Sequence, residues 1–207
     1  MRQLKMLALA IIGVGAMTAL LGAGSASATW CRTGMGGQGS CPGSFEEFSG
    51  TGLSVSSSDV KLVAGGSFTE ECKSTANGEA MSKGAGVVKE LAFTSCKGEC
   101  KSAAAANLPY KVQGTGTGEG NGTAVLTSSG AGNPGTTLSE CTMLGVSCTY
   151  ATAEAKLEFK GAISPGIPML IANGVALKRT AGSVLCPETG TWTAKWAESD
   201  GMELSLF

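Results

Sequence analysis

From Ala151 to Lys160 the chain alternates without a break. Ala151, Ala153, Ala155, Leu157 and Phe159 occupy one set of positions, and Thr152, Glu154, Lys156, Glu158 and Lys160 the other. A period of two sends successive side chains to opposite faces, so this pattern predicts a half-buried β-strand. Helix propensity pulls the other way, because Ala, Glu, Lys and Leu dominate. A helix, however, would scatter the apolar positions around its circumference. Shorter copies recur at Trp192-Ala194-Trp196, Met202-Leu204-Leu206, Leu108-Tyr110-Val112 and Val87-Leu91-Phe93. Pro109 marks the third of these as an edge or a bulge.

Turn chemistry separates the runs: Asn77-Gly78, Gly114 to Gly122, Gly130 to Gly135, Ser164-Pro165-Gly166, Asn173-Gly174 and Glu188-Thr189-Gly190. Many short strands with frequent glycine turns predict an all-β fold, an antiparallel β-sandwich or barrel. Only Ser102 to Ala106 and the Glu46-Glu47 pair leave room for a helical turn.

The first 28 residues stand apart from this pattern. Arg2 and Lys5 precede an almost wholly apolar run from Met6 to Ala23, and Ser25-Ala26-Ser27-Ala28 supplies small residues in an A-x-A arrangement. Together they predict a Sec-type signal peptide over 1–28, cleaved after Ala28. A Gly-rich, cysteine-containing segment follows over 29–47, and a single β-rich domain over 48–207. Without Arg2 and Lys5, thirteen basic residues face sixteen acidic ones, a net charge of −3. Such a chain has no basic stripe for phosphate backbones, so nucleic acid is not an expected partner. No second apolar run approaches the length that spans a bilayer, so no membrane span is expected in the mature chain.

All eight cysteines (Cys31, Cys41, Cys72, Cys96, Cys100, Cys141, Cys148 and Cys186) lie beyond the predicted cleavage point. An even count in an exported chain reads as a disulfide framework in an oxidising compartment, secreted or in the cell envelope. Spacing suggests Cys31–Cys41, Cys96–Cys100 and Cys141–Cys148, which leaves Cys72 for Cys186, although other connectivities stay formally open. The x3 and x6 spacings of Cys96, Cys100, Cys141 and Cys148 are atypical of zinc ligands, so no metal and no cofactor are expected.

The chain has no histidine, which removes the commonest general base and metal ligand. A Ser-His-Asp arrangement cannot form. Gly34-Met35-Gly36-Gly37-Gln38-Gly39 matches G-x-G-x-x-G in letters only, since it lies between two cysteines and outside any strand–helix unit. Carboxylates are the remaining catalytic candidates. Glu46, Glu47, Glu70, Glu71, Glu154 and Glu158 are available for glycosidase-type chemistry, yet adjacent glutamates on a strand point to opposite faces. For binding, Trp192 and Trp196 project from one strand face about 13 Å apart along it. Exposed, they form a platform for carbohydrate or a partner surface; buried, they fill the core.

Several pieces of the chain occur in a familiar order: Leu91-Ala92-Phe93-Thr94-Ser95-Cys96, Asn107-Leu108-Pro109-Tyr110, Cys148-Thr149-Tyr150, and Cys186-Pro187 followed by Trp192-Thr193-Ala194. In this respect the chain resembles a set of secreted, cysteine-containing β-proteins of actinobacteria for which no activity is known. The resemblance covers about Cys72 to Trp196, implies a cysteine-bridged β-fold outside the cell, and carries no site residues. The sequence thus predicts a secreted, non-catalytic structural or binding protein of the envelope or extracellular space, with an unidentified partner there. The alternative is a secreted hydrolase of the carboxylate-based glycosidase type.

Overall fold

A computed structural model describes residues 28–34, 39–66, 68–141, 145–162 and 166–207. The predicted signal peptide up to residue 27, most of the G-x-G-x-x-G stretch and the turn predicted at Ser164-Pro165 lie outside the described residues. The described chain is all-β. Its strands are β1 (Trp30–Thr33), β2 (Phe45–Glu47), β3 (Gly50–Ala64), β4 (Phe68–Ala80), β5 (Ala85–Gly98), β6 (Ser102–Ala106) and β7 (Tyr110–Gly118). They continue with β8 (Asn121–Ser128), β9 (Gly135–Cys141), β10 (Val146–Ala151), β11 (Glu154–Lys160), β12 (Met169–Gly182), β13 (Thr189–Glu198) and β14 (Leu204–Leu206).

Eight antiparallel strands close into a barrel in the order β11-β8-β7-β5-β4-β3-β13-β12, with β12 returning to pair with β11. Closure removes the unpaired edges that an open sheet would present. Five strands, β3, β4, β5, β12 and β13, run past the barrel's closing strands. Beyond the point where β11 leaves β12, β10 pairs with the far half of β12 through Tyr150↔Arg179 and Cys148↔Gly182. β9 and β6 then extend the sheet, and β6 comes to lie against β5.

No ladder joins β5 to β6, and here disulfides tie the sheet together. Cys72–Cys96 joins β4 to β5, Cys100–Cys141 ties the β5–β6 turn to the end of β9, and Cys148–Cys186 ties β10 to the β12–β13 loop. The fourth bridge, Cys31–Cys41, lies in the cap. The eight cysteines therefore pair as a disulfide framework, with Cys31–Cys41 as expected and the other three partners exchanged. The reason is register. In the β9–β10 hairpin Cys141 stands opposite Val146, and Cys148 opposite Leu138, so these two sulfurs do not face each other.

The alternation predicted over Ala151 to Lys160 holds from Glu154 onward in β11, where Ala155, Leu157 and Phe159 are buried and Glu154, Lys156, Glu158 and Lys160 are exposed, whereas Ala153 is exposed in the bend before it. Ala151 itself ends β10. An apolar interior with Lys and Glu outside is the inverse of a membrane barrel. Among the described residues, no helix is long and apolar enough to cross a membrane.

Several local expectations change: Glu46-Glu47 lies in strand β2 rather than a helical turn, and Gly114 to Gly118 belongs to β7. Ser102–Ala106 is strand β6, not a helical turn, because all five residues pair with β9. Asn77-Gly78 lies inside β4 at a register shift rather than in a turn. A Cβ on Gly78 would sit 2.3 Å from Val87 O, so the glycine permits a close approach of β5. Asn173-Gly174 likewise forms a bulge within β12.

The segment over 29–47 contributes β1 and β2. β1 pairs on one side with β2 and on the other with β14 (Trp30↔Leu206, Arg32↔Leu204), and this three-stranded sheet caps the barrel. Under it Trp30, Phe48, Ala80, Phe159, Leu204 and Leu206 form a second apolar cluster beside the main core. Gly122 makes room for it, since a Cβ there would lie 2.6 Å from Leu206.

Candidate functional site: an apolar chamber in the barrel

An eight-stranded barrel has an interior just wide enough to be filled by side chains or to hold one small ligand. Here the filling is incomplete. Short residues at Ala76, Gly86 and Ala124 line it among longer ones at Val55, Leu126 and Leu157, and about 110 Å³ of room remains. The walls are almost wholly apolar. An engineered cavity of about 150 Å³ with such walls stays dry and takes benzene, so this space is on the scale of a small ring.

All three tryptophans of the chain line the chamber. Trp30 enters from the cap, its indole N–H donating to Ala85 O at 2.8 Å and its ring meeting Phe159 edge to face at 5.3 Å. Trp192 and Trp196 come from β13 and are 5% and 3% exposed. Their rings lean together edge to face, with centroids 5.1 Å apart. They therefore belong to the interior, and no flat platform for carbohydrate is exposed at these positions. The alanine between them and the strict alternation of β13 fit this burial. What the alternation could not convey was that the burial borders an empty space.

Polar groups around the chamber are few. Trp196 Nε1 donates to Ser74 Oγ at 3.2 Å, whereas Trp192 Nε1 is buried without a partner. Two carboxylates border the space. Glu79 accepts a hydrogen bond from Lys89 Nζ, and Glu198 accepts from the backbone N–H groups of Asp200 and Met202, each at 2.8 Å. Glu198 thereby shapes the turn after β13 with both of its oxygens.

The other carboxylates considered from sequence are dispersed. Glu46 pairs with Arg32, Glu71 with Lys61 and Glu158 with Lys160, all near the surface. Glu47 and Glu154 are exposed. Glu70 departs from this pattern, being 0% exposed. Its Oε2 accepts from Cys100 N–H at 2.9 Å, while Oε1 has no partner. Burial pushes its pKa above the ordinary 4.5, partly offset by the Cys100 hydrogen bond, and the nearby Glu99 adds to the rise. Glu70 also lies beside the sulfurs of Cys72 and Cys96, but these are bonded to each other and are not free thiolate ligands. The signal was present in the sequence: Phe68, Glu70, Cys72 and Ser74 share one phase of β4, so a strand that buries Phe68 must bury Glu70 too.

No protein family, curated protein or solved structure matches the chain. The four disulfides are of a kind typical of proteins that fold outside the cytosol.

Proposed function

We propose that this chain is a secreted, non-catalytic binding protein that holds a small apolar ligand inside its barrel. The observation that carries this reading is the chamber itself, about 110 Å³ of apolar space walled by Trp30, Trp192 and Trp196. Well-packed interiors leave few voids larger than a water molecule. A space of this size beside apolar walls forgoes dispersion contacts that a ligand restores. The leader over 1–28, the disulfide framework and the resemblance to secreted actinobacterial proteins support a place in the envelope or extracellular space. The lack of histidine, and the structural use of Glu79 and Glu198, support binding in preference to the glycosidase alternative.

Toluene tests the reading. Saturating the chamber at ten times the dissociation constant stabilises the fold by about 1.4 kcal/mol. For a chain of this size that raises the melting temperature by roughly 3–6 °C. The tryptophan emission changes over the same concentration range, since all three indoles border the site. A melting temperature and emission unaffected up to the solubility limit of toluene would overturn the proposal. Export is tested separately: N-terminal sequencing of the protein recovered from culture medium should begin at Thr29.

A further inference from the structure

We propose that the Cys72–Cys96 bridge is a site of thiol–disulfide exchange, at which Cys96 receives an incoming thiol and the Glu70 carboxyl gives its proton to the departing Cys72. Of the eight cysteines, Cys96 is the one that is not buried, while Cys72 is 2% exposed. Glu70 stands beside them: one of its carboxylate oxygens and the two sulfurs all lie within 4.8 Å of one another. Its Oε2 is engaged by Cys100 N–H, and its Oε1 has no partner among the described residues. Opposite it are Leu62 on β3 and Gly98 on β5, neither of them charged, and the charged side chain that acts on it is Glu99. Burial and Glu99 together keep the carboxyl protonated to higher pH than usual.

The local backbone favours attack at Cys96. Glu71 pairs with Lys97 and Lys73 with Thr94, so Ser95 and Cys96 both stand against Cys72 alone, a β-bulge in β5. Within it Ser95 takes a left-handed backbone at φ 52°. Bulges re-aim a side chain out of the regular ladder. On either side of this one the β4–β5 ladder continues, so opening the bridge leaves the two strands paired. The exchange balances with a dithiol as reductant. One thiolate of the dithiol attacks Cys96 Sγ and forms a mixed disulfide. The Cys72–Cys96 bond breaks, and Cys72 Sγ leaves with the electron pair and takes the proton of Glu70. The second thiolate of the dithiol then displaces Cys96, so the dithiol ends oxidised and the bridge ends as two reduced sulfurs.

The experiment treats native protein with glutathione and, separately, with dithiothreitol from pH 5 to pH 8, alkylating free thiols at intervals and mapping them by mass spectrometry. The glutathione adduct should form on Cys96, and Cys72–Cys96 should open while the other three bridges stay closed. Divided by the thiolate concentration, the rate with dithiothreitol should fall as the pH rises through the folded pKa of Glu70. Glu70→Gln has no proton to give. Its corrected rate should be independent of pH and, at the acid end, about a hundredfold below the native value. An adduct on another cysteine, bridges that open together, or the same pH dependence in both proteins would overturn the proposal. Should Glu70→Gln not fold, the position of the adduct and the native pH profile decide it.

Discussion

Replacing Glu70 by glutamine tests the description of the interior through its pH dependence. Glu70 is fully buried, with one carboxylate oxygen held by Cys100 N–H and the other unpaired. Burial, with Glu99 nearby, raises its pKa in the folded state above the ordinary 4.5. The sign follows directly. For an acid whose folded pKa is raised, the folded state binds its proton more tightly than the unfolded state. Stability is therefore complete below pH 4.5 and is lost as the pH rises towards and through the folded pKa. Glutamine keeps the acceptor for Cys100 and cannot ionise.

At pH 4 both side chains are neutral, so Glu70→Gln and the parent should unfold at nearly the same denaturant concentration. Above that, the variant should gain relative stability by up to about 1.4 kcal/mol per pH unit until the folded pKa is passed. Beyond the folded pKa the difference levels off. Urea unfolding of both proteins at half-unit steps from pH 4 to pH 8 measures the difference. A difference that stays constant across this range, or that grows towards acid, would refute the assignment of Glu70 as a buried carboxyl of raised pKa.

Three further perturbations follow from the same structure. Removing Cys100–Cys141, whose ends are 41 residues apart, should cost about 3.9 kcal/mol on the chain-entropy estimate, against about 2.7 kcal/mol for Cys31–Cys41, 10 residues apart. Paired Cys→Ala variants compared by urea unfolding check the order. Tyr110→Phe removes a buried hydroxyl that donates to Ala106 O at 2.5 Å and accepts from Gly135 N–H, and should cost about 1–2 kcal/mol, read as a loss of about 2–8 °C in melting temperature. Gly98→Ala would place a Cβ 1.9 Å from Thr69 O, a backbone atom that cannot swing aside. That variant should lose about 1–3 kcal/mol or more, measured the same way.

The fold class was legible because alternation is a local property. Glu154 to Lys160 and Trp192 to Trp196 each display their buried face within one strand, whatever lies across from it. Closure into a barrel was not legible, because it depends on β11 meeting β12 and on β3 meeting β13, pairings that no local pattern states. The cysteine partners were hidden for the same reason: proximity in sequence favoured Cys141 with Cys148, while register set them apart. Glycines misled where they serve close packing rather than turning, as at Gly78 against Val87.

Nor could the chamber be read directly. Ala76, Gly86 and Ala124 leave a gap only because three separate strands bring them to one space. Even so, Glu70 could have been recognised as buried from its phase with Phe68 and Cys72.

The central claim is that the barrel interior receives the ligand. Nuclear Overhauser contacts between bound toluene and assigned methyl groups test it most directly. Contacts to the methyls of Val88, Leu126, Leu157 and Leu170, all on the chamber walls, are the predicted result. Contacts confined to Val184 and Leu185, the aliphatic residues 90% and 57% exposed on the β12–β13 loop, would contradict it.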